Sequence, residues 1–582
     1  MKPMRIVQTR RISQLFFFCL FIWFCLVATL GDKFFQIQGW PVNWFLQLDP
    51  LVAIGTILST HTLYKGLLWA LATFILTVLF GRFFCGWVCP FGTLHHFTSY
   101  LAHRRLKAQE KIRISAYHPL QQVKYIFLLV FLGAAAYPSD QAILLTGLLD
   151  PIPLITRSFN LFVVPVVDTT THLTSVKGRL YEGGWLIFMV FLAAILGNVL
   201  IPRLYCRFIC PLGALFGLIS RLAVWRIGKA ERQCSDCKIC ERHCEGGCAP
   251  STNIRGSECV LCCNCLDPCP DNVISYQALS NPAGEELQPN ISRRGFTLSL
   301  VSGFLTVPAF RLADKSGNNW NTGIIRPPGS LVEEEFLQSC IKCSQCMRVC
   351  PTNVLQPAGL EYGLESLWSP ILNNRIGSSG CQLNCTACSQ ICPTAAIRPL
   401  SRNEKLGLEE FAEKGPVKIG TAFLQRGRCL PWAMDKPCIV CEENCPLSPK
   451  AIFTRETYIT VRNARYPIKT IETARIRLTE EVLVADTYAS GDYYCLLGEH
   501  RHKIIGNGRD YLTLERELND QNIDYEELEV QIRLQQPYVD IEKCTGCGIC
   551  EHECPVNGRK AIRVSAEGET RNTKRALLLK RL

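Results

Sequence analysis

The chain has 582 residues with a mean hydropathy of +0.12, 48% of them hydrophobic and 19% charged. It is long enough for three or four domains and too apolar to be wholly soluble. The net charge of +12 would suit nucleic acid, but the basic residues flank apolar segments, at Arg10 and Arg11, Arg104 and Arg105, Arg203 and Arg207, and Arg293 and Arg294. That is the pattern of a membrane protein's cytoplasmic loops, and it excludes nucleic acid as the partner.

The 33 cysteines do not read as a disulfide scaffold, because they fall into repeated short-spaced groups rather than being scattered. Hydropathy and the cysteine spacing together predict a membrane α-helical domain over 1–225, an α+β ferredoxin-like module over 226–290, a fifth crossing at 291–313 and further ferredoxin-like modules over 314–582.

A basic start precedes the apolar run Leu15–Leu30, which reads as an uncleaved anchor with its N-terminus in the cytoplasm. Three more spans are expected at Gly66–Phe84, Leu120–Tyr137 and Trp185–Ile201, some of them near the lower length limit. The charge-poor stretches 36–60 and 139–175 would face the opposite side. This half is duplicated. Arg82–Leu94 and Arg203–Leu215 each carry C-x3-C-P, and each follows an Asp-Pro, at Asp49 and Asp150. Parallel repeats pack about an axis along the membrane normal, which would bring Cys85, Cys89, Cys206 and Cys210 together. These thiols could hold a metal or a cluster, form a transient dithiol, or simply pack. Asp49 and Asp150 could accept protons from a quinol, although Asp-Pro is also an ordinary loop start at a helix end. His61, His95 and His96 could ligate a haem, but interfacial or loop histidines explain them as well.

Cys234, Cys237, Cys240 and Cys244 give C-x2-C-x2-C-x3-C; Cys259, Cys262, Cys265 and Cys269 repeat it and add the terminal proline. Three cysteines two residues apart wrap one iron–sulfur cube, and the fourth reaches the neighbouring cluster. Two [4Fe–4S] clusters follow, with Cys244 and Cys269 exchanged. Zinc would need two well-separated knuckles. Cys248 and Cys263 fall outside the register and read as packing residues.

The segment Ile291–Phe310 opens with Arg293 and Arg294 and continues apolar. At an N-terminus it would be a twin-arginine export signal; here it would be a fifth crossing that delivers residues 314–582 to the periplasm. Val307 and Ala309 satisfy a small-residue cleavage rule, and the polar stretch 316–323 would be a linker. Beyond it lie Cys340, Cys343, Cys346 and Cys350; Cys381, Cys385, Cys388 and Cys392; Cys438, Cys441 and Cys445; and Cys544, Cys547, Cys550 and Cys554. The third group lacks a near first ligand, for which Cys429 is the candidate and Cys495 the weaker one. Ligand exchange implies pairs, either the first group with the last and the middle two nested between them, or the groups paired in sequence. Alternating stretches within about 451–540 predict a strand-rich insertion.

The four spans, the C-x3-C-P motifs and the two clusters before residue 280 resemble the NapH/MauN membrane ferredoxins. The segment from Ser292 onward, with its paired arginines and four clusters, resembles the NapG/MauM periplasmic ferredoxins. The resemblance implies a fusion of the two in the cytoplasmic membrane, with six [4Fe–4S] clusters. Such a chain would take electrons from the membrane quinone pool and pass them to a periplasmic or membrane-anchored cytochrome or reductase. It also admits an alternative, a factor supplying electrons for the maturation or regulation of a periplasmic metalloenzyme. A conduit with all its clusters in the cytoplasm is a further rival.

Overall fold

The computed structural model describes residues 6–28, 41–138, 142–171, 178–229, 234–271, 273–278, 291, 293–313, 324–518, 525–572 and 575–576. The expected linker at 316–323 lies outside them. The chain divides into two compact units: 1–373 with 384–417, and 374–383 with 418–582.

The first unit is built on apolar helices, of which nine position the rest: α1 (Ile6–Val27), α2 (Pro50–Thr60), α3 (Trp69–Phe80), α4 (Pro90–His103), α5 (Val123–Ala135), α6 (Pro151–Thr171), α7 (Gly184–Leu196), α8 (Pro211–Ile219) and α9 (Arg293–Ala313). Two helices among the described residues, α1 and α6, are both long and apolar enough to cross a membrane. The other expected spans are shorter than their hydropathy runs. The one predicted over Gly66–Phe84 stops being α-helical at Phe80, because Gly81 adopts φ +77° and closes the helix. The stretch 139–175, expected to be loop on the far side, instead contains α6. Its helix is started by the Asp150 cap with Pro151 at the first position, and a π turn at Phe159–Val163 carries it past its polar residues.

The duplication is visible in this order. In each repeat an Asp-Pro starts a helix, an apolar helix follows, and C-x3-C-P starts another. Asp49 Oδ1 accepts from the backbone N–H of Leu51 at 2.9 Å, and Asp150 Oδ1 from that of Ile152 at 3.3 Å.

Antiparallel strand pairs flank the cysteine groups. In the first unit β1 (Trp225–Lys229) pairs with β2 (Ile274–Ala278) around residues 234–269, and a Ser330–Ile397 bridge encloses 340–392, with β3 (Leu355–Pro357) pairing β4 (Pro370–Leu372) inside it. In the second unit β5 (Thr421–Leu424) pairs with a strand after the last group, β12 (Ile562–Ser565). Between them six strands form a closed antiparallel barrel: β6 (Ile452–Glu472), β7 (Arg475–Leu478), β8 (Tyr493–Leu497), β9 (His500–Asn507), β10 (Tyr511–Leu514) and β11 (Glu527–Val539). The barrel hangs on β6 and β11, whose outer ends pair Ile452 with Val539 beside the cysteine loops. Alternate residues Leu528, Val530, Ile532 and Leu534 are buried, as the two-residue period of a strand requires. Cys495 is buried in the same barrel core.

The two cysteine modules of the first unit pack at opposite ends of its helices. At the C-x3-C-P end, Arg82 donates to the Ser257 carbonyl at 2.8 Å and Trp87 to that of Leu261 at 3.1 Å. At the Asp-Pro end, Ser59 donates to the Gln338 carbonyl at 2.6 Å, Arg157 to Lys342 at 3.1 Å and Tyr181 to Met347 at 3.2 Å. Helix α7 makes the polarity plain: it starts just after Tyr181 and ends just before Asn198, whose side chain bonds His95 of α4 at 2.9 Å. Helix α9 follows the first module in sequence and precedes the second. At 21 residues it is about 31 Å long.

Helix α9 lies against α5 through two glycines. A Cβ on Gly303 would stand 2.4 Å from the Val130 carbonyl oxygen, and one on Gly133 2.8 Å from that of Leu300. Gly303→Ala is expected to cost about 1–3 kcal/mol by forcing the helices apart, while Ser302→Ala on the exposed face changes stability by no more than about 0.5 kcal/mol. Thermal unfolding of the detergent-solubilised protein measures both.

Candidate metal centres

Four cysteine loops share one backbone device. The residues two and four places after the first cysteine are left-handed in each: Asp236 and Lys238 (φ 51° and 54°), Leu261 and Cys263 (51° and 56°), Lys342 and Ser344 (56° and 65°), and Gly546 and Gly548 (72° and 77°). For non-glycine residues this costs about 1–2 kcal/mol each, so the loops are held by what they wrap. The turn aims backbone N–H groups at sulfur: Leu261 donates to Cys259, Lys342 to Cys340, Gln345 to Cys343, Gly546 to Cys544 and Ile549 to Cys547. Such bonds are among the levers that set an iron–sulfur cluster's potential. Cys263, outside the ligand register, occupies one of these turn positions.

The thiols assemble into sets. Cys244 is within electrostatic reach of Cys259, Cys262 and Cys265, the exchange that the spacing predicts. Cys234 and Cys237 accompany Cys240, which shares a packed cluster with Cys269. Farther along, Cys392 joins Cys340, Cys343 and Cys346, with Cys388 beside Cys346. In the second unit Cys445 joins Cys544, Cys547 and Cys550, while Cys554 joins Cys429, Cys438 and Cys441 around one small cavity. Pairing is therefore sequential, first group with second and third with fourth, and the nested order is wrong. The reason is local: each module must close its own strand pair around its ligands. Cys429 is brought to the third group and Cys495 is not. Cys381 belongs to the second unit, where its N–H donates to the Cys547 carbonyl at 2.7 Å; Cys350, Cys385, Cys388 and Cys392 belong to the first.

Cys248, outside the ligand register, does more than pack. Its sulfur lies 3.2 Å from that of Cys244, and it also bonds Cys259. Cys244 and Cys248 are too close to ligate different corners of one cluster in this arrangement. The sequence signal was Glu245, standing where the other groups carry proline.

The donor sets consist of thiols, and among the described residues no three His, Cys, Asp or Glu side chains are arranged to hold a single metal ion. Thiolate ligands suit iron–sulfur chemistry. Burial, with Cys429 and Cys438 adding to it, pushes the Cys441 thiol up to about 12, and burial with Cys381 and Cys544 pushes Cys547 to about 12. Without iron, Cys441 and Cys547 would hold their protons at neutral pH, and iron must displace them.

The C-x3-C-P cysteines do meet. Cys206 lies within electrostatic reach of Cys85, Cys89 and Cys210, and Cys85 within reach of the other three. Cys89 and Cys210 cap α4 and α8: their sulfurs accept from Gly92 N–H at 3.3 Å and Gly213 N–H at 3.1 Å, with proline at the first helical position. Arginines cross between repeats. Arg203 of the second reaches the Cys85 carbonyl at 3.3 Å, and Arg82 of the first crowds Gly213. Around the quartet Arg82 and Lys124 share Glu258, and Arg203 and Arg10 share Glu245. Four buried cations thus face two buried carboxylates, and among the described residues Arg82 Nε and Arg203 Nη2 have no hydrogen-bond partner. The unspent positive charge suits a ligand set of thiolates. Asp49 and Asp150 meet each other across the repeats; both are wholly buried, with no surface open to a substrate.

Comparison with known proteins finds iron–sulfur families along the chain. One family model, described as a 4Fe–4S binding domain, matches twice, at residues 62–109 and 183–230, once over each repeat. A 4Fe–4S dicluster domain matches 339–396 and a 4Fe–4S binding domain 537–560. The chain resembles the ferredoxin-type protein NapH of Haemophilus influenzae, at 25% identity over 48% of this chain and 92% of that one. It is also similar to the regulatory protein NosR of Pseudomonas aeruginosa, at 27% over 42% of this chain and 34% of that one, and to the protein NirI of Paracoccus denitrificans, at 26% over 39% and 32%. The chain spans about a third of the length of NosR and NirI, and 66% of the Escherichia coli protein YccM. No solved structure matches. Iron–sulfur binding and likeness to ferredoxin-type proteins are the common ground.

Six filled sites correspond to about 24 iron atoms per chain. Cys429→Ala is expected to lower this by about four and Cys495→Ala to leave it unchanged. Iron analysis of the purified variants, normalised to protein, decides between the two cysteines.

Proposed function

We propose that the chain is a membrane-anchored polyferredoxin that takes electrons from membrane quinol and delivers them, on the other side of the membrane, to a cytochrome or reductase. One observation carries this reading: two cysteine modules pack at opposite ends of one set of apolar helices, with a thiol quartet between them. If the helices lie in a bilayer, residues 234–269 and 340–392 face different compartments. A hydrocarbon layer is about 30 Å thick, too far for an electron to cross without an intermediate station. We infer that Cys85, Cys89, Cys206 and Cys210, on the first module's side of the helices, serve as that station: Arg203 feels the field of both Cys206 and Cys262 of the first module, and Arg157 that of Tyr205 and of Cys340 and Cys343 of the second. Bound there, an iron–sulfur group would supply a one-electron relay. Arg82 and Arg203 would hold its charge, and Gly92 and Gly213 N–H would orient two of its sulfurs.

In this reading α9 is the crossing that carries the chain from the cytoplasmic to the periplasmic side, and the paired arginines mark its cytoplasmic start. Val307 is wholly buried against α5, which favours a helix that stays attached over one that is cleaved. The resemblance of the C-terminal part to NapG/MauM ferredoxins supports the same placement. A second reading, supply of electrons to a regulatory or maturation step, is favoured by similarity to proteins named regulatory protein NosR.

Two experiments test this reading. In spheroplasts, external protease should digest residues 324–582 while residues 234–278 survive, and Arg293→Lys with Arg294→Lys should abolish that digestion. Protection of the C-terminal part in the intact protein would refute the crossing. A short-chain quinol added anaerobically should bleach the iron–sulfur absorbance of the oxidised protein; no change with any membrane quinol would leave the regulatory reading.

A further inference from the structure

A cavity of about 450 Å³ opens in the first unit between the N-terminal turn of α1, the C-terminal turns of α4 and the loop that carries Cys244. Its walls are rich in positive charge: Arg11, Arg104, Lys111 and Arg242 all line it. The carboxylates in the wall do not balance them. Glu245 is already held by Arg203 at 2.7 Å and His96 at 2.8 Å and accepts from Asn264 at 2.7 Å, and Asp267 is one negative charge against four positive ones. Among the described residues Arg11, Arg104 and Arg242 have no carboxylate partner within 4.0 Å. Lys111 only donates to the Arg104 carbonyl, at 3.4 Å.

The surface leading to the cavity is apolar and uncovered. On α1, Ile12, Leu15 and Phe16 are 56%, 63% and 60% exposed, and Arg11 lies one helical turn from Leu15 on the same face. On α4, Phe97, Tyr100 and Leu101 are 57%, 58% and 44% exposed, and Arg104 continues that face at the next turn. Each helix therefore presents an apolar stripe that ends in an arginine at the cavity mouth. An occupant must be anionic at one end and apolar along its length.

We propose that this cavity binds the phosphate head group of an acidic phospholipid, with its acyl chains lying along the α1 and α4 stripes. Basic pockets between helices on the cytoplasmic side suit such head groups, each cation near the surface adding to the attraction. The inference rests on the membrane placement proposed above. It adds a role for the lipid: the phosphate would tie α1 and α4 to Arg242, two residues from Cys244, and so seat the first cysteine module on the helices.

The test uses full-length protein extracted in mild detergent, with bound lipid quantified by mass spectrometry. Phosphatidylglycerol or cardiolipin should be retained in preference to phosphatidylethanolamine. Arg11→Glu with Arg104→Glu should reduce that retention by at least roughly tenfold, and Arg242→Glu alone should reduce it as well. Arg11→Lys with Arg104→Lys should retain it, which separates charge from folding. Nanodiscs of phosphatidylglycerol should raise the unfolding temperature above that in phosphatidylcholine, whereas inorganic phosphate at millimolar concentration should not. Equal retention by the Glu variants overturns the proposal, and so does stabilisation by inorganic phosphate alone, which would mark a plain anion site. Fractionation of the same cells keeps the two readings apart. A chain absent from membranes sinks the membrane placement, while one in the membrane without acidic lipid sinks only this inference.

Discussion

Two close backbone approaches hold the first unit together. At Gly86 the chain passes so near the cysteine loop that a Cβ would lie 2.2 Å from the Val260 carbonyl oxygen, and at Gly147 one would lie 2.0 Å from that of Ile341. No larger residue fits at either point without moving backbone. These glycines let a cysteine module sit directly on each end of the helices, with no layer of side chains between. Short separations are what electron transfer requires, so the same contacts that bury backbone also set the distances on which the proposed relay depends.

Between those ends the unit tolerates an unusual density of buried charge. Arg82, Arg203, Lys124 and Arg10 are all buried, as are Glu245 and Glu258. Buried ions are costly unless paired, and here the pairing is incomplete until thiolates are counted. The cations are thus better explained as partners of sulfur than as devices for stability. The Asp49–Asp150 pair lies close to this set, with Asp150 within electrostatic reach of Cys210. Each carboxyl caps its own helix, and the two face one another because the repeats are related by pseudo-symmetry. Side by side and buried, two carboxyls need a proton between them.

The second unit solves a different problem. Its cysteine sets form the same kind of module, but the middle connection is extended into a closed barrel on β6 and β11. Closure removes the free strand edges that an insertion of this length would otherwise expose. Because the barrel grows from a strand pair already present beside the ligands, it leaves the Cys429, Cys438, Cys441 and Cys554 set undisturbed.

Much of this was legible in the residues alone. The C-x2-C-x2-C-x3-C spacing specifies a loop that must turn left-handed twice to wrap a cube, and the duplication announces itself in C-x3-C-P and Asp-Pro because those pairs begin helices wherever they occur. Hydropathy was a poorer guide. It overstated α3, where Gly81 closes the helix, and missed α6, whose prolines and threonines dilute an apolar run that a π turn keeps continuous. What only the tertiary structure decided were the long-range choices: sequential pairing of the cysteine groups, Cys429 over Cys495, Cys248 beside Cys244, and the buried cations that surround the four thiols which the repeats had already been expected to bring together. Local spacing dictates the turn a backbone makes, because the turn is a property of a few adjacent dihedral angles. Which thiols share a centre depends on how strands and helices far apart in the chain close on one another, and that is set by packing.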